Sequence, residues 1–348
     1  MGIISRFVNL FSTPKPLASN PTLIFNGAPL TSDWKWIQAT DPNVVNRYNR
    51  WTMYFTSINN NKLNILQATL PVGSSLSNNQ WVVDESPIIS PTEGSWDSDA
   101  TETASYISFV DKNGKFVERI YYTGWTLASK NLDGKCNYQI GMVEKQFDNW
   151  VKYPVSVLKA ELPWEQAGSL GSILGDQSVV YQNGKFYMFY QVGSGSKTIL
   201  AVAKSDDGIN WPSNQRYQII TKPSGYPSNM PSGPYHVSVK FINNKWYFIG
   251  WLSNSNLNYQ GIYCGISSIE NPSSYQKINP LLFENQAAWM KPTNTIMQKL
   301  HELGLFGSDV VCENGKWYLF FHVVKRMPDN SNNFSCIGVS SLNSTFLS

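Results

Sequence analysis

The chain has 348 residues with a formal net charge of +3, and only 15% of its residues are charged. There is no run of Lys/Arg and no basic helix, which argues against nucleic acid or an acidic membrane as partner. Aromatic residues are abundant, with 13 Trp and 18 Tyr; packing uses most of them, and a surplus suits sugar rings, whose C–H faces stack on aromatic faces.

The start, MGIISRFVNLF, has one Arg and no continuous apolar core, so it is a poor signal peptide. That points to a cytoplasmic protein or a component of a larger assembly. Ile3, Ile4, Phe7, Val8 and Phe11 share one helical face. A short helix docked on protein, as a homo-oligomer or assembly contact, is favoured over a membrane-surface anchor, and no membrane span is expected. Residues 1–20 are therefore assigned to this amphipathic helix and a Pro-rich linker. Thr22–Phe25 is then a short apolar strand belonging to no complete repeat.

From residue 21 to 348 the chain repeats. The clearest element is an aromatic strand: WTMYFTS from Trp51, ERIYYTG from Glu118, FYMFYQV from Phe186, WYFIGWL from Trp246 and WYLFFHV from Trp317. The spacing is roughly 60–70 residues. A short apolar strand precedes each copy (PNVVN, ASYISFV, SVVYQN, VSVKFIN, DVVCEN). A third strand follows each, as in ILAVAKS, and a fourth can be drawn after the first four. Asn183-Gly184 reads as a two-residue hairpin turn. Five in-phase copies predict an all-β, five-bladed β-propeller with a short N-terminal helical arm, rather than a β-sandwich. The fifth copy lacks a fourth strand, and Thr22–Phe25 is expected to supply it, joining the chain ends and removing an open edge. Asn294–Leu303 is predicted as a short helix ended by Gly304, and the Pro/Gly/Ser-rich loop before the fourth copy as a pocket wall.

The four cysteines lie far apart, three of them inside predicted strands, and read as buried, reduced thiols. No cofactor is expected, although a central channel has room for a structural cation.

Residues just before the innermost strands line one end of a propeller's channel. Those positions hold Asp41, then Asp97, Asp99 and Glu102, then Asp176, His236 and Asp309. A lone Asp at a strand entry usually caps a loop. Asp41 and Asp176 together are read as functional, because crowded carboxylates have their pKa values pushed apart and can divide into an acid and a base. That is the equipment for cleaving a glycosidic bond. Trp36, Trp96, Asp97, Asp99, Tyr235 and Asp309 are the candidate substrate-binding residues.

Asp41-Pro42-Asn43-Val44-Val45 followed by WTMYFTS, and GDQSVVYQNGKFYMFY followed by ILAVAKSDDGINW, resemble the five-bladed propeller glycoside hydrolases of the arabinanase and β-xylosidase type, family 43. The resemblance extends to the fructosidases and neoagarooligosaccharide hydrolases and covers most of Trp34–Ser341. It implies a general base at Asp41 and an orienting carboxylate at Asp176. At the fourth blade, where the family has a Glu as general acid, this chain has His236, which resembles the neoagarooligosaccharide hydrolases in using His; Glu102 is the alternative acid. The expected function is an inverting glycosidase acting on an oligo- or polysaccharide. The rival expectation is a non-catalytic carbohydrate-binding or structural propeller of a larger assembly, with a phosphorylase or sugar transferase behind both.

Overall fold

The structure is a computed structural model, and it describes residues 16–25, 37–131, 134–166, 172–193, 199–219, 235–254, 259–268, 277–283, 290, 305–326, 333–343 and 346. The amphipathic helix expected near the N-terminus, the short helix expected at Asn294–Leu303 and the expected pocket-wall loop before the fourth repeat lie outside the described residues. Among the described residues there is no α-helix, and none is long and apolar enough to cross a membrane.

Among the described residues the strands form five four-stranded antiparallel units. The first holds β2 (Ile37–Arg47), β3 (Arg50–Asn59), β4 (Lys62–Thr69) and β5 (Val82–Val83). The second holds β6 (Ala100–Val110), β7 (Phe116–Trp125), β8 (Gln139–Gln146) and β9 (Asn149–Lys152). One parallel bridge, Leu63 to Ala100, joins these two units. The third comprises β10 (Leu174–Gln182), β11 (Lys185–Val192), β12 (Ile199–Ser205) and β13 (Arg216–Gln218). The fourth comprises β14 (Tyr235–Ile242), β15 (Lys245–Asn254), β16 (Tyr259–Ser267) and β17 (Lys277–Phe283). The fifth combines β18 (Leu305–Glu313), β19 (Lys316–Arg326) and β20 (Asn333–Leu342) with β1 (Ala18–Phe25). β1 pairs with β20 through Thr22 and Val339, so both ends of the chain share one sheet. The strand starts at Ala18, taking in the last residues of the segment expected to be linker.

Local chemistry explains these boundaries. Tyr48-Asn49, Asn183-Gly184, Asn243-Asn244 and Asn314-Gly315 each place two residues at positive φ between the first two strands of a unit. That is the geometry of a two-residue hairpin whose twist matches its strands. The outer strands of the first two units are shorter than the sequence implies. Pro87 and Pro154 have no N–H to donate, so pairing lapses at each and resumes only as single bridges, Ile65–Ile89 and Ile140–Leu158.

The third residue of each aromatic strand (Met53, Ile120, Met188, Phe248 and Leu319) is completely buried. Each such side chain contributes roughly 1.5–3 kcal/mol of burial. Among the described residues the buried apolar side chains fall into five clusters, and each lies between neighbouring units: Tyr54 with Ile120, Tyr121 with Met188, Phe189 with Phe248, Ile249 with Leu319, and Phe320 with Met53. The innermost strands touch in the order β2, β6, β10, β14, β18 and back to β2. The units are thus packed face to face around a common axis.

Polar bonds run around the same circle. Asn43 Oδ1 accepts the Tyr106 N–H (2.9 Å), Ser105 Oγ that of Val179 (2.9 Å) and Ser178 Oγ that of Val239 (2.9 Å). Ser238 Oγ donates to Asp309 Oδ1 (2.6 Å), and Asp309 Oδ2 accepts the Val44 N–H (2.8 Å), closing the ring.

Candidate active site

Two residues N-terminal to this ring, each innermost strand slips register against its neighbour. The slips fall between Thr40 and Asn43, Glu102 and Ser105, Gly175 and Ser178, Tyr235 and Ser238, and Phe306 and Ser308. They are β-bulges holding Asp41, Thr103, Asp176, His236 and Gly307. The first four have φ of 53°, 52°, 51° and 51°. A left-handed backbone costs a non-glycine residue roughly 1–2 kcal/mol, and four such residues at one level mark a site that uses the distortion. The entry positions are therefore Asp, Thr, Asp, His and Gly: the second and fifth bulges hold Thr103 and Gly307, where sequence pointed to Asp97, Asp99 or Glu102 and to Asp309.

The bulges bring Asp41, Asp176 and His236 together. His236 Nε2 lies 3.2 Å from Asp41 Oδ1, and Nδ1 lies 3.6 Å from Asp176 Oδ2. Asp41 Oδ2 accepts from Thr40 Oγ1 (2.8 Å) and Asp176 Oδ1 from Thr103 Oγ1 (3.3 Å). Glu102, half-buried beside Thr103, accepts the indole N–H of Trp125 (2.8 Å).

Charge separates these groups. Burial works to raise the Asp41 carboxyl, but the His236 charge and hydrogen bond, helped by His322 and Thr40, hold it well below the carboxylate range. Burial works to lower His236, and the charges of Asp176 and Asp41 overcome it, pushing the imidazole up to about 9. Glu102 is pushed up to about 8 by burial and by the charges of Asp41 and Asp176. Asp176 is also raised, chiefly by burial. At neutral pH, then, Asp41 is ionised, His236 is an imidazolium and Glu102 keeps its proton. Two carboxyl groups on neighbouring innermost strands have been driven to opposite protonation states, the division that acid–base chemistry uses.

The remaining candidates have other company. Asp97 is buried against Lys152 Nζ (2.5 Å) and Tyr122 Oη (3.0 Å). Asp99 pairs with Lys130 and accepts the Leu127 N–H (2.9 Å). Asp309 sits two residues below the fifth bulge, in the ring, where it also meets Lys240 Nζ (2.7 Å) and the Val310 N–H (2.8 Å). The structure does not bring these three carboxylates into the Asp41–Asp176–His236 group; each is spent on backbone and lysine, the loop-capping role open to any Asp. Trp96 stacks on Tyr122 (5.8 Å, 17°) and covers Gly124, where a Cβ would come within 2.5 Å of the indole. Trp36 and the Tyr235 side chain lie outside the described residues.

Two participants were not singled out by sequence reasoning. Trp125 ends β7 and holds Glu102. His322, in the WYLFFHV strand, is buried with Nδ1 3.0 Å from the Asp41 N–H and 3.3 Å from Asp41 Oδ1. Burial, with the His236 charge, drives His322 down to about 4, against the pull of Asp41, so it is neutral. The signal was a polar residue in an otherwise apolar strand. A cavity of about 30 Å³ reaches from the site to the ring, lined by Asp41, Thr103 and His236 and by Asn43, Ser105, Ser178 and Ser238 among others. Among the described residues no three His, Cys, Asp or Glu side chains are grouped as a metal site.

No family model matches the sequence, and no curated protein does. Solved structures match along most of the chain. A thermostable family-43 glycoside hydrolase superposes with a TM-score of 0.58 at 13% identity, covering 88% of this chain and 90% of that one. The family 43, subfamily 1 enzyme from Xanthomonas citri, solved with xylotriose, gives 0.55 at 12% identity over 92% and 91%. Sucrose-6-phosphate hydrolase from Lactobacillus gasseri gives 0.59 at 14% identity, covering 92% of this chain and 60% of its own. The chain has the β-propeller fold of the family-43 and family-32 glycoside hydrolases.

Proposed function

We propose that this protein is a glycoside hydrolase acting on an oligo- or polysaccharide, built on a single five-bladed propeller spanning residues 21–348. The observation that carries the reading is the gathering of Asp41 and Asp176 around His236 on the innermost strands, with Glu102 beside Thr103, whose hydroxyl donates to Asp176; burial and charge there hold Asp41 low and push Glu102 up to about 8. Asp41 acts as general base through a water, Glu102 protonates the departing glycosidic oxygen, and Asp176 holds the sugar and tunes the acid.

Of the two candidate acids the geometry favours Glu102. Both ring nitrogens of His236 face carboxylates. With Nε2 3.2 Å from Asp41 Oδ1 and Nδ1 3.6 Å from Asp176 Oδ2, the imidazolium is held between two carboxylates that oppose loss of its proton, and its role becomes that of a bridge between Asp41 and Asp176. Inversion needs a water between base and sugar, with the two carboxyl groups roughly 6.5–9.5 Å apart. Proton NMR of the first-formed anomer reads that outcome.

The test is a glycan panel with the Asp41→Asn variant. Turnover should fall by roughly 100-fold or more, the scale of losing a positioned base, with the fold retained because the side chain faces the axis. The His236 bridge also supports a second reading, a carbohydrate-binding propeller whose carboxylates are neutralised by imidazolium. Binding without cleavage by the wild type, unaffected by Asp41→Asn, would select it.

A further inference from the structure

The fourth residue of the aromatic-strand core, three past the buried central residue, has the same job in successive units. Thr56 Oγ1 accepts the backbone N–H of Thr103 (2.9 Å). Thr123 Oγ1 accepts that of Asp176 (3.1 Å), and Gln191 Oε1 that of His236 (3.2 Å). In each case a side chain from one unit pins the bulge residue of the next, at the peptide whose left-handed φ aims the site side chain. In the fifth unit the same register position is His322, and it pins Asp41 (3.0 Å).

We propose that His322 is a positioning residue for Asp41: its unprotonated Nδ1 receives the Asp41 N–H and so fixes where the carboxylate stands. A backbone N–H can only donate, so Nδ1 must be a bare acceptor and the ring proton must sit on Nε2. Burial and the His236 charge keep the ring unprotonated against the pull of the Asp41 carboxylate, whose Oδ1 lies 3.3 Å from Nδ1. Phe306 stacks on the ring at 5.6 Å and 22°. Asp41 from β2 and His236 from β14 are the charged groups facing it, and the His236 imidazolium opposes a second positive charge there. Gly307 completes the arrangement by being small. A Cβ at that position would lie 2.7 Å from Asp41 Oδ1, 2.9 Å from His322 Nδ1 and 3.1 Å from His236 Nε2. The fifth bulge thus gives up its own side chain so that His322 can reach across it. Where Thr or Gln supplies the acceptor elsewhere, here the acceptor can be titrated away.

The role of Asp41 as base rests on the function proposed above; the positioning itself can be read without turnover. The chain has three histidines, so imidazole ¹H–¹⁵N correlation spectra resolve them, with assignment by variant. At pH 7 His322 should be the neutral Nε2–H tautomer. His322→Gln keeps an acceptor, as Gln191 does, and His236 should keep its raised titration. His322→Leu releases Asp41 from the imidazole it holds, and His236 should titrate at least about one pH unit lower. On a cleavable glycan His322→Leu should lower kcat by roughly 100-fold with little change in KM, and Gln should recover at least part of that loss. If the Leu variant does not fold, Gly307→Ala carries the test, because its Cβ wedges the same groups apart and should lower the His236 titration likewise. An imidazolium or Nδ1–H tautomer at pH 7 overturns the proposal, as does an unmoved His236 titration in the Leu or Ala variant. A protein that cleaves no glycan refutes the enzyme reading while these spectra still decide the positioning.

Discussion

Trp125 donates its indole N–H to Glu102 across 2.8 Å, and the same indole lies tilted against Tyr138 at 5.4 Å. One oxygen of the carboxyl is thereby held in place while burial, and then the charges of Asp41 and Asp176, make its ionisation costly. The acid of this site should therefore be lost as Glu102 ionises. In kcat/KM against pH the alkaline limb is expected near 8. Glu102→Gln should cut cleavage roughly 100-fold or more on alkoxide leaving groups and far less on leaving groups that need no proton. A limb near 9 that survives in Glu102→Gln would instead name His236 as the acid.

Asp309 makes an opposite prediction. It is completely buried and holds the Val44 and Val310 N–H groups, Ser238 and Lys240. Removing one member of such a pair leaves a charge and several donors unpaired. Asp309→Ala is expected to destabilise the fold by about 3 kcal/mol, read from the urea midpoint. A substrate-binding Asp would behave differently: an Asp309→Ala variant of normal stability with weakened glycan binding would return it to the site.

The repeat was legible because it rests on local chemistry. Aromatic strands around Met53, Met188 and Leu319, and an Asn-Gly turn at Asn183-Gly184, announce themselves in a window of a few residues. Asp41, Asp176 and His236 could be found because strand entry is a local property too. What could not be read was which acids turn toward the axis. Asp97 and Asp99 precede the same strand as Glu102, and only partners distant in sequence, Lys152 and Lys130, decide that they are tied down. His322 was hidden for a related reason: its function is set by contact with Asp41, 281 residues away.

The cysteines show the same limit. A strand position reads as buried, but β18 runs out of the core before its hairpin, and Cys312 there is exposed. Cys136 is half-buried, while Cys264 and Cys336 are buried, and all four are free thiols. The expectation of four buried thiols is corrected accordingly. Native titration with a thiol-specific reagent should show one fast group, lost in Cys312→Ser, then a slower one from Cys136. Two more should appear only on unfolding. A fast group that persists in Cys312→Ser would contradict the placement of this strand.

The site also fixes how stability varies with pH. His236 is raised from 6.5 to about 9, and Glu102 from 4.5 to about 8, so both bind protons more tightly folded than unfolded. Their contributions are present in full below the unfolded values and are lost as pH rises through the folded ones. His322 runs the other way. Lowered from 6.5 to about 4, it favours the fold above 6.5 and loses that contribution as pH falls toward 4. Between 4.5 and 6.5 the His322 and Glu102 trends oppose each other and partly cancel. Above 6.5, of these three groups, only His236 and Glu102 still act, both as losses, so their contribution to the Tm should decline from pH 6.5 to 9. Glu102→Gln, which cannot ionise, should make that decline shallower, and adding His236→Gln should make it shallower still. Thermal melts at half-unit pH intervals on the three proteins measure this directly. A wild-type Tm that falls no faster across that window than those of the variants would mean that His236 and Glu102 do not hold their protons in the folded protein, and the acid–base division of the site would fall with it.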